Sequence, residues 1–140
     1  MQRSLFLLLA LSLFLVPAAF AEETLVGEYQ WDQGGASGDL RAVFEPTGDN
    51  TWEVSFYFDF RSKPHVYSGT ATGSLEDGTL EGTVKNENKR RTFTFEGSFQ
   101  NGEFRGNHAE TTRGEPIRTG TLTLAQETES SQTRSQSQTR

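Results

Sequence analysis

The chain has 140 residues, 33% of them hydrophobic, no cysteine and a formal charge of −6. That length holds one domain once the ends are set aside, and a chain without cysteine has no disulfides, thiolate nucleophiles or cysteine-type zinc sites. An acidic balance argues against a nucleic-acid partner, whose phosphates need surplus Lys and Arg. His65 and His108 alone cannot form a two-histidine helical zinc motif, so neither a metal nor a cofactor is expected.

Residues 1 to 21 carry Arg3, an apolar run from Leu5 to Val16, then Pro17 and the small-residue site Ala19, Phe20, Ala21. This is the layout of a secretory signal peptide cleaved before Glu22. The apolar run is shorter than the roughly 20 residues a membrane-spanning helix requires. The mature chain, residues 22 onward, is therefore expected outside the cytoplasm, secreted or periplasmic, with no transmembrane segment.

From Leu25 to Leu124 the apolar residues alternate with period two, and no stretch sustains a helical period. The clearest case places Trp52, Val54, Phe56, Phe58 and Phe60 on one face, with Glu53, Ser55, Tyr57 and Asp59 on the other. Eight strands are expected, near 25 to 31, 38 to 45, 51 to 60, 65 to 75, 79 to 86, 91 to 99, 103 to 111 and 117 to 124. The gaps are short and rich in turn residues, so the fold class is all-β, an antiparallel up-and-down meander over residues 22 to 125. Closure into a barrel would remove the exposed edges. An outer-membrane barrel is disfavoured because the face opposite the Phe stripe carries Glu and Asp.

Asp77-Gly78 and Asn101-Gly102 read as type I′ hairpin turns, whose two central residues take positive φ. Counting outward pairs Leu75 with Leu80, Gly73 with Gly82 and Ala71 with Val84 at the first turn. At the second it pairs Phe99 with Phe104, Gly97 with Gly106 and Phe95 with His108. The segments GSLEDGTLEG and GSFQNGEFRG match at every glycine with an offset of 24, so both hairpins are expected to be built alike.

In a meander, alternate connections fall at opposite ends. One end collects the tight turns near Gly48, Gly78 and Gly102, and Phe44, Trp52, Leu75, Leu80, Phe99 and Phe104 should plug it. The other collects the Asp32 to Gly38, Arg61 to Pro64, Asn86 to Arg90 and Arg113 to Glu115 connections, with a rim of Arg61, Lys63, Lys85, Lys89, Arg90, Arg91 and Arg113. The inward residues there, Trp31, Phe60, Tyr67, Phe93, His108, Glu110 and Arg118, form the candidate ligand site: aromatic walls with a few orienting polar groups. With Gly114 at the centre of a three-residue turn, Glu110 would face and pair with Arg118. Residues 126 to 140, QETESSQTRSQSQTR, contain almost nothing apolar and read as a disordered polar tail.

Gly27-Glu28-Tyr29 followed by Trp31, heading an eight-stranded meander in an exported chain, resembles the first strand of lipocalin-like and avidin-like barrels. Those barrels carry Gly-x-Trp, and Tyr29 stands at the Trp position. Phe95, Gly97, Gly102 and Gly106 resemble one MORN repeat, echoed without the aromatic by Ala71, Gly73, Gly78 and Gly82. The resemblances imply architecture and assign no ligand.

No Gly-x-Ser-x-Gly elbow, metal constellation or phosphate loop is present, so a catalytic role is not expected. Two functions fit: an exported barrel binding a small apolar or anionic ligand at its basic end, or a filled structural domain that meets an extracellular protein. Cavity volume at the basic end separates them.

Overall fold

The structure, a computed structural model, describes residues 21–88 and 90–127. The expected signal peptide up to residue 20, Lys89, and the polar tail from residue 128 lie outside the described residues. Eight antiparallel strands follow one another: β1 (Glu23–Trp31), β2 (Ser37–Gly48), β3 (Thr51–Phe60), β4 (Lys63–Gly73), β5 (Gly78–Asn86), β6 (Thr92–Gln100), β7 (Glu103–Thr111) and β8 (Ile117–Gln126). Each pairs with the next, and β8 returns to β1 from Leu25 opposite Gln126 to Trp31 opposite Gly120, closing the barrel.

The alternation read from the sequence is the alternation of burial. Leu25 and Tyr29, then Leu40, Ala42 and Phe44, then Val54 and Phe56 point into the barrel, and Leu122 and Leu124 complete the ring. One end is solid: Phe44, Leu75, Leu80, Phe99 and Phe104 are all buried there. Trp52 lies edge-on to Phe44, and its indole N–H donates to the Gly73 carbonyl at 3.0 Å.

The second hairpin has the expected register. Asn101 and Gly102 have φ of 53° and 77°, and Phe99, Gly97 and Phe95 stand opposite Phe104, Gly106 and His108. The first does not. Gly73 pairs with Leu80 and Ala71 with Gly82, two residues away from the expected register, and Ser74 to Asp77 form a four-residue loop. Asp77 does not adopt positive φ, so a two-residue type I′ turn cannot form. Instead the Ser74 hydroxyl accepts the N–H groups of Glu76 and Asp77, each at 3.1 Å, and Gly73 leaves the strand with φ of 125°. Leu75, expected in a strand, is buried from this loop.

The last hairpin also departs from expectation. His108 pairs with Gly120 and Ala109 with Arg118, so Thr119 is the extra residue of a β-bulge. The bulge reverses the facing of everything before it in β8. Arg118 stands beside outward Ala109, and Glu110 meets Ile117, not Arg118.

The inward glycines admit the rings. A Cβ built on Gly97 would collide with the Arg105 carbonyl oxygen and lie 2.7 Å from the Phe104 ring. Gly97→Val is therefore expected to cost about 2 to 3 kcal/mol, the upper part of the range for overpacking. Denaturant melts measure it, and a wild-type midpoint would mean that Gly97 does not face Phe104.

Candidate functional site

Opposite the solid end, the interior retains a cavity of about 70 Å³. Tyr29, Trp31, Phe58, Tyr67, Phe93 and His108 are among its walls, with Leu40, Val84 and Leu122 below. The rings hold one another by edge-to-face and stacked contacts: Trp31 is edge-on to Phe93 at 5.9 Å and to His108 at 5.3 Å, and Tyr67 is edge-on to Phe93 at 5.5 Å. Phe58 stacks between Tyr67 and His65, 5.5 Å from each. Such pairs contribute beyond the area they bury and fix the wall geometry.

Four of the expected site residues, Trp31, Tyr67, Phe93 and His108, thus meet around the cavity. Phe60 stands at the rim, edge-on to His65 with the Arg61 guanidinium 5.3 Å above its ring. Glu110 joins the site through a different partner from the one expected. Its two carboxylate oxygens accept Nε and Nη2 of Arg91, both at 2.8 Å. Arg118 does not join: outward because of the Thr119 bulge, it pairs with Asp32 at 3.0 Å, more than half exposed.

Arg91 is the central residue that sequence reasoning placed only on the rim. Asn86 Oδ1 accepts the N–H groups of Arg90 and Arg91 at 3.0 and 3.1 Å, which folds the β5–β6 connection back onto the barrel end. Arg91 then enters in step with inward Phe93 and Phe95. Its guanidinium lies 5.2 Å from the Phe93 ring centre and 5.9 Å from that of Trp31, so it caps the cavity. The hydrogen bonds to Glu110 raise the Arg91 pKa further, and those from Arg91 hold the Glu110 carboxyl below the usual carboxylate range. Burial raises the Tyr67 hydroxyl pKa, opposed by nearby Arg91.

His108 lies deeper. Its Nε2 is 3.0 Å from the Gln30 carbonyl, which can only accept, so Nε2 carries the proton. Nδ1, 2.7 Å from the Thr119 hydroxyl, then accepts. Burial lowers the imidazole pKa, partly opposed by the Gln30 carbonyl and Asp32, and the ring is neutral and fully bonded. The same bulge that turned Arg118 away thus supplies the His108 partner. Among the described residues no three His, Asp or Glu gather as a metal site, and no helix is long and apolar enough to cross a membrane.

Two non-glycine residues at the rim, Arg61 and Ser62, have φ of 52° and 61° in the two-residue turn between Phe60 and Lys63. A two-residue type I′ hairpin turn requires positive φ at both central residues, which the Cβ atoms of Arg61 and Ser62 disfavour. The rim is less basic than its cations suggest, because Glu110 and Asp32 already engage Arg91 and Arg118.

Compared with known proteins, the chain matches no family model, no curated protein and no solved structure at a significant level.

The pairing gives a direct test. Arg91 and Glu110 side chains are 43% and 19% exposed, so alanine substitutions should couple by about 1 kcal/mol in a double-mutant cycle, a value reduced by solvent screening. Arg118→Ala and Glu110→Ala should be additive within about 0.5 kcal/mol, as sites without a shared partner are. Denaturant melts decide, and coupling of Glu110 to Arg118 would restore the cross-hairpin pair. A second test uses pH. Because the folded imidazole pKa lies below its ordinary value of 6.5, the unfolded chain binds the extra proton between the two. Stability contributed by His108 is full above that ordinary value and falls as pH drops towards the folded one. Glu110, also depressed, adds a loss in the same direction at lower pH. Melts across this range should show a slope that His108→Gln reduces; an unchanged slope would remove the buried neutral imidazole.

Proposed function

We propose that the chain is an exported, non-enzymatic binding barrel that takes one end of a small apolar molecule into its aromatic mouth. The observation that carries this reading is the asymmetry of the interior. One end is packed solid, while the other keeps about 70 Å³ between rings and aliphatic side chains. Empty apolar cavities stay dry and accept apolar guests; one of roughly 150 Å³ holds benzene. The space here takes less than that, so a guest is held by its end, with the remainder at the rim. Export rests on the signal-peptide pattern of residues 1 to 21. An anionic group on the ligand is less well served, since the cations nearest the cavity already hold carboxylates.

A second reading, a filled domain that meets an extracellular protein, draws support from the same volume, which is well below the roughly 300 Å³ at which ordinary ligand pockets begin. Native mass spectrometry of the purified protein detects a co-purifying molecule. Titration distinguishes the readings. In a Trp52→Phe background, emission reports Trp31 alone, and 1-hexanol should change it saturably. Leu40→Phe, which fills the cavity floor, should abolish the response while the circular dichroism spectrum stays that of a folded barrel. A flat titration up to the solubility limit would favour the filled domain.

A further inference from the structure

Arg91 occupies the mouth as a ligand would. Its guanidinium makes two 2.8 Å bonds to one carboxylate and lies against two aromatic rings at 5.2 and 5.9 Å. A carboxylate beside electron-rich ring faces is an arrangement that stabilises a delocalised or alkylated cation, because the ring quadrupole attracts positive charge and the carboxylate orients it. The two rings it lies against, Trp31 and Phe93, also line the apolar cavity of about 70 Å³. We infer that the mouth is a site for a small organic cation, an alkylguanidinium or alkylammonium, with its chain in the cavity and its head on Glu110, and that Arg91 is the intramolecular stand-in it displaces. This rests on the apolar-mouth reading and adds the chemistry of the head group.

The exchange favours a cation over an anion. Arg91 is 43% exposed and enters from a surface connection, so releasing it returns a flexible side chain to water at small cost. Glu110 is only 19% exposed. An anion that took Arg91 would leave that carboxylate unpaired beside a second negative charge, whereas a cation that takes Glu110 leaves no buried charge alone. The remaining described rim cations, Arg61, Lys63, Lys85, Arg90 and Arg113, are exposed and screened by physiological salt over about 8 Å.

The test titrates the purified protein with n-butylguanidinium, n-butylammonium, 1-butanol and butyrate, each followed by Trp31 emission in the Trp52→Phe background and by melting temperature. Arg91→Ala vacates the site, and Arg91→Gln provides the same vacancy with a polar stem should the alanine variant fold poorly. The vacated protein should bind n-butylguanidinium about tenfold or more tightly than Arg91-containing protein does, and gain melting temperature from it. Adding Glu110→Gln should return the affinity to that of 1-butanol. Tightest binding of butyrate, equal affinity with and without Arg91, or indifference to Glu110→Gln would each overturn the cation site. Equal binding of 1-butanol and n-butylguanidinium would overturn the head-group assignment while leaving the apolar mouth intact. Silence from all four probes in every variant would remove both.

Discussion

Four of the rings inside this barrel lie against a glycine of their own or a neighbouring strand, and much of the interior depends on that fit. Phe95 covers Gly82, Phe104 covers Gly97 and Gly106, Tyr29 covers Gly38, and His108 covers Gly120. An eight-stranded barrel has an interior only wide enough for side chains to fill, so at these positions the absent side chain makes room for the ring. The glycines also let neighbouring backbones approach: a Cβ on Gly27, Gly69 or Gly120 would collide with a carbonyl of the adjacent strand. Gly27 and Gly120 lie where β1 and β8 pair, so their missing side chains let the two backbones approach at that seam. Aromatic size and glycine position are therefore one constraint seen from two sides.

Period-two alternation is a local signal, and everything that depended only on it was legible. Strand number, order, and the inward faces of β1 to β3 follow from residue spacing, as does the plug of Phe44, Leu75, Leu80, Phe99 and Phe104. Register is less local, because it depends on how each turn counts residues. At Asn101-Gly102 both central residues accept positive φ and the counting works. At Asp77-Gly78 the nearby Ser74 hydroxyl offers the loop N–H groups another acceptor, and the register moves by two. A shift of two preserves facing, so Ala71 and Leu80 still point inward although their partners change.

The Thr119 bulge is a shift of one, and its consequence is larger. Facing reverses, and the Glu110–Arg118 pair deduced from alternation is replaced by Arg91–Glu110 and Arg118–Asp32. An isolated glycine in a strand can signal a bulge, and Gly120 adjoins this one. That signal does not discriminate here, because Gly27, Gly69, Gly82 and Gly97 lie in strands without such a register shift. Arg91 was more accessible: extending the inward series Phe95, Phe93 back by two residues reaches it. What alternation could not supply is the Asn86 side chain that brings the connection close enough for Arg91 to act as a cap.

Chemically, the two ends differ in what would happen if water entered. At the solid end the polar atom among the rings, the Trp52 indole N–H, is held by the Gly73 carbonyl, so nothing is gained by opening. At the mouth, closure depends on a half-exposed ion pair whose strength falls with salt and acid. His108 is held there between the Gln30 carbonyl and the Thr119 hydroxyl, and its burial disfavours the charged ring. The Arg61-Ser62 turn adds backbone strain to the same rim. A barrel stabilised at one end by packing and at the other by displaceable polar contacts should open at the second end first, because local stability follows buried apolar contact.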